Sequence, residues 1–144
     1  MKAFSFLSLI LLVSCQSETS FPNHKLVGDW VRIEVPENEK TIEHWEQQGD
    51  SIIGFGRTFI NDSLYFQELL SIVLLNDKYF YVVRGVNESA TFFEIRAWDK
   101  KGFTAFNETN DFPKYISYSF RQDAMFVEIG DSTHSIDFNF IRID

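Results

Sequence analysis

The sequence predicts an all-β chain folded as an antiparallel up-and-down meander barrel of about 8–10 strands. Three observations lead there. Sixteen Phe, five Tyr and three Trp supply 17% of the 144 residues, and aromatic side chains favour strands. Beyond the N-terminus no apolar stripe has helical spacing. From Leu26 onward, short apolar runs alternate with turn residues at regular intervals, as in all-β domains. A β-sandwich is the competing architecture. No long crossover connection is evident, and closing the sheet removes exposed edges, so the barrel is preferred.

The first residues read differently from the rest. Met1-Lys2, an apolar run from Ala3 to Val13, and Ser14-Cys15 are the parts of a secretory signal. The run is shorter than the roughly twenty apolar residues that span a bilayer. Leu12-Val13-Ser14-Cys15 fits the bacterial lipobox, so residues 1–14 are expected to be a signal peptide and Cys15 the lipidated first residue of the mature protein. The alternative is a buried apolar N-terminal element with an incidental cysteine. Residues 15–25 then form a tether and residues 26–144 the barrel. Two or more acyl chains anchor firmly. The expected location is the bacterial cell envelope, at the outer membrane rather than the inner, since Ser17-Glu18 carries no obvious inner-membrane retention signal.

Cys15 is the single cysteine, so the barrel has no disulfide and no thiol for zinc or nucleophilic catalysis. The formal net charge is −8, or −9 once Lys2 leaves with the signal. That balance, with no basic run, argues against nucleic acid and against electrostatic attachment to anionic lipid. A single domain of this size is expected to be a monomer whose membrane contact is the anchor at Cys15. No cofactor is implied. His24, His44 and His134 have no ligand-spaced partners, so no metal site is expected.

The expected strands are Leu26–Val35, Lys40–Gln47, Ser51–Ile60, Ser63–Leu75, Lys78–Val86, Ala90–Trp98, Gly102–Asn107, Tyr115–Arg121, Met125–Ile129 and His134–Ile143. Asn61-Asp62, Asn76-Asp77 and Gln122-Asp123, among others, separate them at hairpin length. Alternation assigns faces. Leu64, Phe66, Glu68, Leu70, Ile72 and Leu74 share one side of the fourth strand, with a lone carboxylate among apolar neighbours. Thr91, Phe93, Ile95 and Ala97 align in the sixth; Ile116, Tyr118 and Phe120 in the eighth; Ile136, Phe138, Phe140 and Arg142 in the last. In the first strand, parity leaves open whether Val31 and Ile33 or Trp30 and Arg32 face inward. Gly54-Phe55-Gly56 inside the third is expected to mark a bend or bulge.

Gly28-Asp29-Trp30 early in the first strand, with Arg142 late in the last, resembles the signature of lipocalin-like, calycin-type barrels. The resemblance implies that Arg142 packs across Trp30 and closes the barrel base, with Gly28 permitting close approach. Asn107-Glu108-Thr109-Asn110-Asp111-Phe112-Pro113, then Ile116 and Tyr118, is similar to the hallmark of the DUF6265 family, bacterial lipocalin-like barrels of unknown function. Glu43-His44-Trp45 and Glu68 match two further positions of that family. The chain departs from the hallmark at Asn110, where the family has histidine, and at Glu108, where it has proline.

These readings converge on candidate residues for a pocket. Glu68 among apolar neighbours must be hydrogen-bonded, paired or protonated; it serves either a ligand or a structural arginine, Arg57 or Arg96. Glu43 and Trp45 share a face, the carboxylate as a polar contact and the ring as pocket wall or core filler. Arg57 and Tyr118 are further candidates. Asn107, Asn110 and Asp111 either touch a ligand or build the loop through their own backbone, and Phe112 is placed to plug the barrel end. The leading expectation is a module that binds a small apolar or aromatic ligand in the barrel interior. A small-substrate enzyme with Glu43 and Glu68 as an acid–base pair is the second. A lipoprotein with a solid core is the third, because side chains alone can fill a small barrel.

Overall fold

The computed structural model describes Phe21 and residues 25–143. The expected signal peptide, Cys15 and the tether apart from Phe21 and Lys25 lie outside the described residues, as does His24. Ten strands follow in order: β1 (Gly28–Arg32), β2 (Glu39–Gln48), β3 (Ser51–Ile60), β4 (Ser63–Leu75), β5 (Lys78–Arg84), β6 (Thr91–Asp99), β7 (Gly102–Phe106), β8 (Tyr115–Arg121), β9 (Ala124–Gly130) and β10 (Ser135–Ile143). Each pairs antiparallel with its neighbours in sequence, and β1 pairs with β10 to close the barrel. No strand switches sheet, which removes the sandwich.

The ends of the strands have local causes. β1 stops at Arg32 rather than Val35, because Glu34 takes a left-handed φ of 60° just before Pro36. β5 stops at Arg84, where Gly85 turns at φ 87°. Asn61-Asp62 and Asn76-Asp77 are both left-handed at both residues, the geometry of tight two-residue hairpins whose twist matches the strands.

Two bulges correct the expected faces. Between β3 and β4 the register slips, so Thr58 faces Phe66 while Phe59 faces Leu64, and Tyr65 is the extra residue. Leu64 therefore lies with Phe59 on the outer side and is exposed, not in line with Phe66. In β6 the register steps from Ile95 to Ala97, leaving Arg96 unpaired. Ala97 is consequently exposed, while Phe93 and Ile95 stay buried. A single inserted residue reverses every later side chain. Leu74 keeps its parity but stands at the strand end, exposed. The Gly54-Phe55-Gly56 segment is not bulged; it pairs in continuous register with both β2 and β4.

In β1, Trp30 is buried and Val31 and Ile33 face outward. Trp30 pairs directly with Arg142 across the closing seam, and the guanidinium carbon lies 4.2 Å from its ring centroid. Arg142 also donates to the carbonyls of Val27 at 2.8 Å and Lys25 at 2.7 Å, and Trp30 Nε1 donates to Leu26 O at 2.8 Å. A side chain at Gly28 would collide with Arg142 Nη1. Arg142 thus ties the incoming chain to both closing strands at one end, the base, where Leu26, Phe120 and Met125 complete the packing. Its interactions amount to about 2 kcal/mol, from charge-assisted hydrogen bonds and the cation–π contact. Arg142→Ala should lower the melting temperature by about 5–10 °C, whereas Arg121→Ala, exposed at the same end, should shift it far less. Equal shifts would remove Arg142 from the closure.

Candidate functional site

The two ends of the barrel differ. At the base, two-residue turns join β2–β3, β4–β5, β6–β7 and β8–β9. At the opposite end lie the longer connections, residues 33–38, 85–90, 107–114 and 131–134. Between this mouth and the packed base is a cavity of about 320 Å³, within the range of small-molecule sites. Its walls are largely apolar: Phe66, Val83, Phe93, Ile116, Val127 and Phe138 face in from six strands, with Val86, Asn87, Asn110 and Phe112 around the rim. Phe112 stacks on His134, ring centroids 4.7 Å apart, and lines the cavity at the mouth.

Two carboxylates stand in this wall. Glu43 of β2 and Glu68 of β4 both pair with Gly56 of β3, one from each side. A Cβ at Gly56 would lie 3.0 Å from Glu68 Oε1 and 3.2 Å from its Cγ. The Glu68 side chain therefore lies back over the glycine, on the side where Glu43 stands. One step deeper, Gly54 gives the same room to the Trp45 ring, which a Cβ would meet at 2.8 Å. The two glycines thus form a stripe of missing side chains, filled from both neighbouring strands.

Glu43 is only 8% exposed. It accepts a hydrogen bond from Trp45 Nε1 at 2.8 Å and from the Tyr118 hydroxyl at 3.3 Å to each oxygen. The Tyr81 hydroxyl is 3.0 Å from that of Tyr118; since Tyr118 commits its one proton to Glu43, Tyr81 is the donor. Burial pushes Glu43 up to about 7, with the nearby Glu68 charge adding to the rise and the Trp45 and Tyr118 bonds opposing it. Burial likewise pushes Glu68 up to about 7. Both tyrosine hydroxyls are pushed well above their ordinary value, first by burial and then by the carboxylates. The unfolded chain holds its carboxyl protons only below about 4.5, so these groups weaken folding progressively as pH rises from there through about 7.

No cation among the described residues pairs with either carboxyl. Among the described residues Glu68 makes no ion pair and accepts no hydrogen bond. Arg57 borders the cavity, but it has the opposite parity to Gly56: its guanidinium lies 4.0 Å over Phe55 and donates to Gln67 at 2.7 Å on the outer face. That parity corrects its expected pairing with Glu68. Arg96 sits on its bulge with Glu108. Arg32 reaches the cavity wall, but it is engaged by Glu39 at 3.5 Å and lies 4.7 Å from the Phe138 ring centroid.

The remaining expected site residues divide. Tyr118 and Asn110 line the cavity, Asn110 also donating to Pro113 O at 2.8 Å. Trp45 is fully buried beneath the cavity and orients Glu43, so it is not a wall. Asn107 folds the loop: its oxygen accepts from Thr109 and Asn110 backbone N–H, and its amide donates to Phe92 O. Asp111 is exposed and away from the lining. Tyr81 and Arg32 were not singled out from sequence; in the all-apolar run of β5 alternation is silent about Tyr81. Among the described residues no group of three His, Cys, Asp or Glu side chains is placed to hold a metal ion. Compared with family models, curated proteins and solved structures, the chain matches none.

Proposed function

We propose that this protein is a lipid-anchored binding module of the bacterial envelope that takes a small ligand with an apolar or aromatic body into the barrel. The observation that carries the reading is the cavity itself: an apolar wall around a small buried polar cluster, open at the end with the longer loops. Sites for small molecules are built that way. A solid-core scaffold would have filled this volume. The proposed kinship with the DUF6265 family fits the same picture, since Asn110 and Phe112, both in its hallmark segment, stand at the rim.

The anchor suits the geometry. Phe21 packs against Tyr79, Trp98 and Phe103 at the base, and Arg142 fixes the chain at Lys25 and Val27. The chain from Cys15 to Phe21 reaches at most about 20 Å. A lipidated Cys15 would hold the base near the membrane and turn the mouth away from it.

Titration with 2-naphthol, an uncharged fluorescent aromatic, tests the cavity. Saturable one-to-one binding is expected at about 10–100 µM, modest for a ligand of this size. Val83→Trp, which fills the wall, should weaken it at least about tenfold, equivalent to about 1.4 kcal/mol. No saturation, or binding indifferent to Val83→Trp, would contradict the proposal. For the anchor, Cys15→Ala should leave the protein unprocessed or release it from membranes. Fractionation and migration identical to the parent would remove the lipoprotein reading.

A further inference from the structure

We infer that the ligand of this cavity is an organic cation, a protonated amine on an aromatic or apolar body, whose ammonium is held between Glu68 and Glu43. The inference deepens the binding reading above and rests on it.

Four observations lead to the cation. The two carboxylates approach one point of the wall from opposite sides of Gly56. The glycine leaves room that Glu68 occupies, and both carboxyls line the same cavity, where no β3 side chain stands between them at position 56. Glu43 has its oxygens committed in part to Trp45 and Tyr118, while Glu68 has no protein partner among the described residues. The guanidinium groups nearest to hand are spent elsewhere, Arg57 outside the barrel and Arg32 on Glu39 and Phe138. A half-buried carboxyl in an apolar wall is neutralised by a proton or by a partner, and the partner that no described side chain supplies to Glu68 is a positive charge with hydrogen-bond donors.

The walls discriminate among cations. An ammonium supplies three donors in a compact head, matched to two carboxyls and the hydroxyl cluster of Tyr81 and Tyr118. Those rings, with Phe93 beside them, offer π-faces to the charge and apolar surface to the body that carries it. A divalent metal ion suits the site less: calcium takes six to eight oxygens and magnesium a near-ideal octahedron, and no third acidic or histidine side chain joins the pair among the described residues. An anion would meet two carboxylates. Burial pushes both carboxyls up to about 7, and an entering ammonium would favour their ionised forms.

Calorimetry on the full-length mature lipoprotein in detergent at pH 7.5 compares three probes of one shape: 2-phenylethylamine, 2-phenylethanol and 3-phenylpropanoate. The amine should bind at least tenfold more tightly than the alcohol and more tightly still than the acid. Glu68→Gln should bring the amine to within about threefold of the alcohol. Gly56→Ala retains both charges but crowds Glu68 Oε1, and should weaken the amine at least threefold. If the alcohol equals the amine, or if the amine's advantage survives Glu68→Gln, the inference is overturned. 2-Naphthol keeps the two readings apart. Bound 2-naphthol with no preference for the amine defeats this inference alone, whereas loss of both defeats the cavity reading as well.

Discussion

Positions 54 and 56 of β3 carry no side chain, and the interior of the barrel is arranged around that gap. The Trp45 ring lies over Gly54 and Glu68 lies over Gly56, so one strand lends its interior space to both neighbours. A residue with a Cβ at 54 would strike the His44 carbonyl and the indole together, which leaves the floor no alternative packing. With the indole fixed there, its N–H is aimed at Glu43, and Glu43 is in turn where the Tyr118 and Tyr81 hydroxyls lead. The polar cluster is thus a consequence of backbone approach in β3, and every member of it touches the next.

The barrel separates its charges along its length. At the base the inward cation Arg142 is satisfied by two carbonyls and the face of Trp30, and toward the mouth Arg32 is engaged by Glu39 and the Phe138 ring. Higher up, two inward carboxyls face the cavity without such a partner. Replacing buried charge by apolar groups is often neutral or stabilising, so packing alone gives no reason for both to stand there. Local departures from the stable choice concentrate at functional sites, and this one coincides with a cavity of about 320 Å³. The turns agree with that division: tight hairpins finish the base, while the mouth is bordered by longer loops, one of them braced by Asn107 and by Lys114 on the carbonyls of Glu108 and Asn110.

Much of this was legible in the chain. Turn pairs such as Asn76-Asp77 cut the sequence into ten strands, and alternation placed Glu68, Tyr118 and Phe140 inward because each lies in an uninterrupted stretch of its strand, Glu68 beyond the Tyr65 bulge. Trp30 and Arg142 could be paired from the resemblance they carry. Three things were not legible. The bulges at Tyr65 and Arg96 leave no mark in composition yet invert the faces beyond them, which misplaced Leu64 and Ala97. The side of the sheet taken by Arg57 follows from Gly56, and a glycine gives no hydrophobic signal to read. Trp45 shares a face with Glu43, as parity said, but parity does not give depth, and the indole went to the floor instead of the wall.

Glu43 is buried and Glu68 half-buried, neither has a counter-charge among the described residues, and the proposed ligand supplies one. Carboxyl carbon NMR, with glutamate labelled and each resonance assigned through Glu43→Gln and Glu68→Gln, follows their protons directly. In the empty protein the pair should titrate near 7, as macroscopic steps belonging to both. Saturation with 2-phenylethylamine should move that titration down by about one unit or more, since an adjacent positive charge favours the ionised form. Two carboxyls that titrate near 4.5 in the empty protein, or a pair near 7 that the amine leaves unmoved, would contradict the account.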